Sequence, residues 1–352
     1  MGVVLGCVGL VGTVAGLTGG VAAAQLADPE PPQARCTMTD RRLTELSGLA
    51  VDGGGVWAMA DGGRRVEVYR LDLDDCSIAH TRTAAIDPFD AEDLARGPDG
   101  TLWVADTGDN ERRRETVALI VLPPNGAPRL HRLFYPDGPH DAEALVVAAD
   151  GIPLIITKEA VGAAGIYRPA GPLAEPGPTP LLRVGEVVLP RSDTVGGPLG
   201  EIGARLVTGA ALSADGRVVG LRTYTDAWLY SVTGDTAADL VAALRTHPVR
   251  VPLADEPQGE AIAFDLDGRL LSGSESRGAA RGEIRVVAGA ASLVTSATAR
   301  SGPVEPHETP AAGVPDDAGS VWSPAATGVV VTAALLVLAI AGMMVHGARR
   351  RS

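Results

Sequence analysis

Positive charge and aromatic side chains are scarce in this chain of 352 residues. Its 30 basic residues face 43 acidic ones, which gives a formal net charge of −13 at pH 7, and only 3% of the residues are aromatic. Nucleic-acid-binding domains present a basic face, so this composition argues against a nucleic-acid partner. Lys158 is the only lysine. Its retention among arginines points to a position that needs a compact ammonium group, and chance retention is the alternative.

Several catalytic motifs are absent as well. The chain has no G-x-S-x-G nucleophile motif, no H-E-x-x-H zinc motif and no glycine-rich phosphate loop. The usual sequence signatures of serine hydrolases, zinc proteases and nucleotide-binding proteins are therefore missing. Long helical periodicity is also missing, except around residues 237–244, which predicts an all-β protein.

A short cassette recurs five times along the chain, at intervals of roughly 47 to 65 residues, a spacing typical of propeller blades or solenoid units. Each copy has an apolar strand opened by an acidic or hydroxyl residue, a turn with Asp-Gly, and a second apolar strand that ends at a polar residue. The copies open at Glu45, Glu92, Glu143, Thr208 and Glu260. Because glycine accepts the positive φ of a tight turn, each copy indicates a β-hairpin.

Two further strands follow each hairpin in the sequence pattern. The predicted fourth strands lie at 78–86, 129–135, 181–189, 249–253 and 292–297. Four antiparallel strands per repeat are typical of a β-propeller blade. We therefore predict a single β-propeller at residues 35–300, with five visible four-stranded blades and room for a sixth in the longer interval between Glu143 and Thr208.

The two ends of the chain predict export and anchoring. Residues 1–24 are apolar and end in three alanines, as a signal peptide does; an uncleaved anchor is the alternative. Residues 301–325 are rich in Pro, Gly and acidic residues, which predicts a disordered stalk. The uncharged run 326–345 predicts a transmembrane helix. The basic tail 346–352 then lies in the cytoplasm, with the propeller on the extracytoplasmic side of the cell membrane.

The cysteine count predicts one disulfide. Cys7 lies in the predicted signal peptide, so Cys36 and Cys76 are the only pair left for an oxidising compartment. Their bond would close a loop of about 40 residues and stabilise the fold by roughly 4 kcal/mol. Two free thiols are the alternative.

The residues that open first strands and close second strands are expected to meet at one mouth of the propeller channel. Crowded carboxylates repel one another unless a cation intervenes, and calcium prefers oxygen ligands. We therefore predict a divalent-cation site, with calcium as the candidate metal; its ligands would be Glu92, Asp93, Asp106, Asp109, Glu143 and Glu260. The alternative is that the same carboxylates pair with backbone amides or with Lys158 and Arg222 and only hold the blades together.

Three residues are candidates for catalysis. His140 lies just before Glu143 and would serve as a general base or ligand, while an ordinary surface histidine is the alternative. Lys158 and Arg222 close second strands. They would contact a phosphate or carboxylate ligand, or stabilise developing negative charge.

Two sequence phrases carry a family resemblance. They run from Glu92-Asp-Leu-Ala to Trp103-Val-Ala-Asp-Thr-Gly-Asp-Asn110, and from Tyr135-Pro-Asp-Gly to His140-Asp-Ala-Glu143. They resemble exported actinobacterial β-propeller proteins, which are distantly similar to esterase-like phytase propellers. The resemblance spans residues 35–290 and implies the propeller fold. Through the phytase-type propellers it also implies phosphate-ester hydrolysis with several calcium ions.

The sequence thus predicts a membrane-tethered extracytoplasmic propeller that acts as a ligand-binding or scaffold module. We expect a monomer with a small anionic ligand or a protein partner. The competing hypothesis is a calcium-dependent hydrolase of a phosphate ester or lactone.

Overall fold

The computed structural model describes Gly2 and residues 29–175 and 177–300. The predicted signal peptide, apart from Gly2, lies outside the described residues, as do the predicted stalk, transmembrane helix and basic tail. Within the described part of the chain, no helix is both long and apolar enough to cross a membrane.

The strands of the described residues form a β-propeller of five four-stranded blades, each antiparallel within itself; the outermost strands of blades two and three also pair with each other in parallel. Blade one contains β2 (Leu46–Asp52), β3 (Gly55–Ala60), β4 (Val66–Leu71) and β5 (Ile78–Ala84). Blade two contains β6 (Asp93–Arg96), β7 (Leu102–Asp106), β8 (Val117–Leu122) and β9 (Arg129–Phe134). Blade three contains β10 (Ala142–Val147), β11 (Pro153–Thr157), β12 (Ala164–Pro169) and β13 (Thr179–Val187). Blade four contains β14 (Val207–Leu212), β15 (Val218–Thr223), β16 (Asp226–Ser231) and β17 (Val249–Pro252). Blade five contains β18 (Gly259–Phe264), β19 (Leu270–Ser274), β20 (Glu283–Val287) and, as its outermost strand, β1 (Gln33–Thr37).

The first strand of each blade lines the centre, and these five strands contact one another in a closed ring, in the order β2, β6, β10, β14, β18. One apolar cluster fills each interface between neighbouring blades. Small residues permit the close approach of the inner strands; a Cβ at Gly48 would lie 2.5 Å from the backbone nitrogen of Leu94. The alternating apolar residues that predicted the blades therefore form the packing between them.

The ring is closed by strand exchange and by a disulfide. Strand β1 precedes blade one in sequence but pairs antiparallel with β20 of blade five. The predicted bond between Cys36 and Cys76 is confirmed, with the two Cα atoms 5.4 Å apart. Because Cys36 lies in β1 and Cys76 lies between β4 and β5, this bond joins blade five to blade one.

One predicted strand is wrong. Residues 292–297 belong to helix α2 (Ala290–Arg300), which packs on β16 and β17. The helix starts in an alanine pair, and alanine is the strongest helix former. A strand at this point would also have no edge to join, because β1 already occupies the outer edge of β20.

The helical pattern near residue 240 is confirmed as helix α1 (Ala237–Ala243), which begins with a capping box between Thr236 and Asp239. Its apolar residues pack into the cluster between blades three and four. The long interval between β13 and β14 contains a 3-10 turn (Gly203–Arg205) and no strand among the residues described there. The structure thus has five blades in residues 29–175 and 177–300.

Candidate functional site at the channel mouth

A β-bulge near the start of the first strand builds one ring of polar side chains. In blades one, three, four and five the pairing of the first two strands shifts across a single residue. In blade two, Glu92 takes this position, since its amide bonds the carbonyl of Ala105, which also faces Asp93. A bulged residue is released from the strict alternation of the strand. The resulting ring consists of Ser47, Glu92, Glu143, Thr208 and Glu260.

Blade one departs from the predicted alignment of the cassettes. The register shift between Leu46 and Gly48 makes Ser47 the equivalent of Glu143, whereas Glu45 lies two residues earlier. The Ser47 hydroxyl donates to the carbonyl of Glu92 (2.5 Å). Thr208 likewise donates to the carbonyl of Gly259 (3.0 Å). These two members of the ring join neighbouring blades, and its other three members are carboxylates.

The residue that directly follows each second strand forms a second ring, which consists of Asp61, Thr107, Lys158, Tyr224 and Glu275. The Lys158 ammonium pairs with Glu143 and donates to the Tyr224 hydroxyl (2.8 Å). It also lies 5.1 Å from the centroid of the Tyr224 ring. Sequence reasoning missed Tyr224, although it follows β15 as Lys158 follows β11.

Burial and mutual repulsion raise the pKa values of these carboxyl groups. Burial is the larger cause and neighbouring carboxylates add to it, so the pKa of Glu92 and that of Glu275 lie well above the ordinary range. The pKa of Glu143 is raised likewise by burial, against the attraction of Lys158. The pKa of Glu260 is raised to about 7, again chiefly by burial. Of these four carboxyl groups, Glu260 is the one whose pKa is placed near neutral pH.

Lys158 remains charged in this setting. Burial lowers its pKa, but the negative charge of Glu143 is the largest opposing cause, and the pKa lies well above the ordinary lysine value. Its charge offsets Glu143 Oε1, while Glu143 Oε2 is buried and has no hydrogen-bond partner among the described residues. One carboxylate oxygen in the mouth is thus left without a donor.

Asp93 has a different role from its neighbour Glu92. Its side chain is fully buried and accepts the amides of Leu94 (2.8 Å), Leu145 (2.8 Å) and Ala210 (3.1 Å). Burial raises its pKa to about 8 in spite of these bonds. The equivalent positions in the other blades hold glycine or alanine. Asp93 therefore ties the inner strands of blades two, three and four together.

Asp106 and Asp109 also bond to backbone amides. Asp106 Oδ1 accepts the amides of Phe89 (3.1 Å) and Asp90 (2.8 Å). The two oxygens of Asp109 accept the amides of Arg113 (3.0 Å) and Arg114 (2.8 Å). Asp106 thus holds the segment before β6 and Asp109 shapes the loop after β7, as expected if these acidic residues pair with backbone amides.

The six carboxylates predicted as ligands thus divide into two groups. Asp93, Asp106 and Asp109 are engaged by amides, while Glu92, Glu143 and Glu260 lie in the ring at the mouth. Among residues 29–175 and 177–300, no three His, Cys, Asp or Glu side chains form a group ready to hold a metal ion.

Arg222 is engaged inside blade four and does not end the second strand. Strand β15 ends at Thr223, so Arg222 is on the same strand face as Tyr224 but lies two residues before it, inside the strand. It is fully buried and pairs with Glu256, while Ser272 accepts a hydrogen bond from it. A Cβ at Gly259 would overlap the guanidinium group. This arginine is unavailable to a ligand at the mouth and holds blades four and five together.

His140 belongs to an aromatic cluster of blade three. Its ring lies 5.0 Å from that of Tyr135 and 5.3 Å from that of Tyr167. Its Nε2 is 3.1 Å from Asp137 Oδ1, and Nδ1 is 3.5 Å from Glu159 Oε1. These contacts orient the ring, and they include neither Glu143 nor Lys158.

No family model matches the chain. No curated protein matches it either. The resemblance to exported actinobacterial propellers therefore stays a prediction.

Several solved structures are similar to this chain at TM-scores below 0.5. Aldose sugar dehydrogenase from Streptomyces coelicolor, in its PQQ-bound form, is 12% identical with a TM-score of 0.44, over 74% of this chain and 99% of that one. Glutaminyl cyclase from Myxococcus xanthus is 18% identical with a TM-score of 0.39, over 73% and 99%. A gluconolactonase from Xanthomonas campestris is 15% identical with a TM-score of 0.39, over 69% and 72%. Similarities at this level do not indicate an activity for this chain.

Proposed function

We propose that this protein is a membrane-tethered, extracytoplasmic ligand-binding propeller that takes a cation at the acidic channel mouth. The observation that carries the proposal is the position of Glu92, Glu143 and Glu260. They occupy equivalent positions near the start of the first strand in three blades, and Glu143 Oε2 is buried with no hydrogen-bond donor among the described residues. An oxygen in that state favours a ligand that brings positive charge or a donor.

The charge balance of the two rings supports the same ligand class. They contain five carboxyl groups, on Glu92, Glu143, Glu260, Asp61 and Glu275, and one ammonium group, on Lys158. Arg222, the second basic residue expected at the mouth, is fully buried and paired with Glu256, so it offers no contact to a ligand there. This arrangement favours a cation over the small anionic ligand that the sequence predicts.

Calcium is the first candidate, because carboxylate oxygens are its preferred ligands. The described residues do not contain a preformed set of metal ligands. The second candidate is therefore an organic cation with two ammonium groups, which would pair with the same carboxylates. Anchoring and export rest on the sequence of residues 1–24 and 326–352 alone.

Thermal unfolding of the chain in calcium, in a diamine such as putrescine and in EDTA tests the proposal. A ligand at 100 times its Kd stabilises the fold by about 2.7 kcal/mol, which raises Tm by roughly 5 to 10 °C. The substitutions Glu92→Gln and Glu260→Gln should abolish this rise. Glu186→Gln is the matched control, because that side chain is 60% exposed and pairs with Arg183 away from the mouth.

An unchanged Tm in all three solutions would refute cation binding. A rise with putrescine and none with calcium would retain the cationic ligand and reject the metal. Equal rises in the wild type and in Glu92→Gln would place the ligand elsewhere.

A hydrolase of a phosphate ester or lactone is the second candidate function. It is favoured by the pKa of Glu260, which at about 7 suits a general acid or base. In this reading Glu260 moves the proton, and the Lys158 ammonium stabilises negative charge on the substrate. Turnover of simple phosphate esters and lactones that is lost in Glu260→Gln and retained in Glu186→Gln would support it.

A further inference from the structure

A cationic cleft lies between blades one and two, apart from the rings at the channel mouth. It is an open, shallow cleft of about 570 Å³, and its lining includes Trp57, Arg70, Arg82, Arg96 and Asp52. The three arginines come from three strands, β4, β5 and β6. The chain has a net charge of −13, so a cluster of three arginines is unusual, and the contacts that hold these arginines together need to be identified.

Trp57 organises two of the arginines. The guanidinium carbon of Arg70 lies 6.0 Å from its ring centroid, and that of Arg82 lies 5.8 Å away. Arg82 Nη2 also donates to the carbonyls of Leu122 (3.2 Å) and Pro123 (2.6 Å). The indole is only 6% exposed, so it supports the arginines and is not itself a ligand surface. The charges are therefore preorganised.

The turn of blade one leaves space for Arg70. A Cβ at Gly54 would overlap the guanidinium group, and Gly55 has a positive φ of 141°. The glycines at this β2–β3 turn allow the arginine to lie over the backbone. Most other side chains at Gly54 would move Arg70 out of the cleft.

The positive charge in the cleft is only partly compensated by described residues. Neither Arg70 nor Arg96 makes a salt bridge to another described residue. Asp52 is the only carboxylate in the lining, and Asp99 interacts electrostatically with Arg96. Asp52 already accepts hydrogen bonds from the Gly54 amide (2.7 Å) and the Trp57 indole (2.8 Å). Burial raises its pKa, but these bonds and the charges of Arg70 and Arg96 together hold the pKa below its usual value.

We propose that this cleft binds a phosphate group, with Arg70 and Arg96 as the residues that contact it. The planar guanidinium fork matches phosphate oxygens and forms paired, charge-assisted hydrogen bonds. Arg82 adds a fixed positive charge. The group comes either from a free phosphate compound or from a phosphate-bearing polymer at the cell surface, and both present the same oxygens.

Calorimetric titration of the full chain with pyrophosphate at constant ionic strength tests this. Arg70→Gln and Arg96→Gln should each weaken binding at least about tenfold. Arg217→Gln is the matched control, because that side chain is half exposed in blade four, 3.9 Å from Asp235. Gly54→Ala leaves every charge in place but displaces Arg70, so it should also weaken binding. The Tm of each variant shows that it is folded.

Failure of the wild type to bind pyrophosphate at millimolar concentration would overturn the proposal. Equal affinity in the wild type, Arg70→Gln and Arg96→Gln would overturn it as well. Tighter binding of polyphosphate than of pyrophosphate would identify a polymer as the source, and the reverse order would identify a free compound. Both orders support the site, and neither depends on the acidic mouth.

Discussion

Replacing Glu260 with glutamine should change how the stability of the propeller depends on pH. Glu260 is buried and its pKa is raised from 4.5 to about 7. The folded protein therefore holds this proton up to a higher pH than the unfolded chain does. As pH rises between about 4.5 and 7, the wild type loses stability through this group, and above that window the loss is complete. Glutamine does not titrate and keeps the oxygen that accepts from Gln258 Nε2 at 3.0 Å.

The expected size of the effect follows from the shift. A change of one pKa unit corresponds to 1.36 kcal/mol, so the shift of Glu260 amounts to about 3 kcal/mol. At pH 4.5 this group should contribute little to the difference between the two free energies of unfolding, because Glu260 is protonated in the folded protein and still about half protonated in the unfolded chain. At pH 8 the free energy of unfolding of Glu260→Gln, relative to that of the wild type, should be about 3 kcal/mol higher than it is at pH 4.5.

Urea unfolding at pH 4.5 and pH 8 measures this double difference, with the disulfide intact. Glu186→Gln is the control. It also replaces a glutamate with glutamine, but the Glu186 side chain is 60% exposed and not buried. The reasoning is refuted if the free energies of Glu260→Gln and the wild type differ by the same amount at both pH values.

Two other predictions concern the buried charges. Asp93→Ala should lower the free energy of unfolding by about 2 to 3 kcal/mol, because the amides of Leu145 and Ala210 lose their acceptor. Asp93→Asn keeps a side-chain oxygen and should lower it by less. Equal losses for the two variants in urea unfolding would contradict the role of these hydrogen bonds. Arg222→Met alone should cost about 3 to 5 kcal/mol, because Glu256 is left buried and uncompensated. Adding Glu256→Leu should recover part of this loss, and additive costs in the same assay would argue against the pairing.

The blades themselves were predictable from short-range patterns. Alternating apolar residues and Asp-Gly turns depend on neighbours in sequence, so the hairpins and four of the five predicted fourth strands are confirmed. The last fourth strand was not predictable in this way. Strand β1 pairs with β20. The two strands lie at opposite ends of the propeller sequence, so no local sequence pattern reveals that they are partners.

The site was only partly predictable. Glu92, Glu143 and Glu260 stand in the ring as expected, but the bulge that aligns them gives blade one Ser47 in place of Glu45. Arg222 and Tyr224 show the same limit. A shift of one or two residues decides whether a side chain faces the mouth, and the sequence pattern does not resolve it.

The sequence by itself determined the repeat, the all-β architecture, the disulfide partners and the acidic character of the inner-strand starts, because each depends on local spacing or on composition. Only the tertiary structure decided which carboxylates face the channel mouth and which accept backbone amides. It also assembled the arginine cleft from β4, β5 and β6 beside Trp57. Those outcomes depend on strand register and on contacts between blades, which arise only when the ring closes.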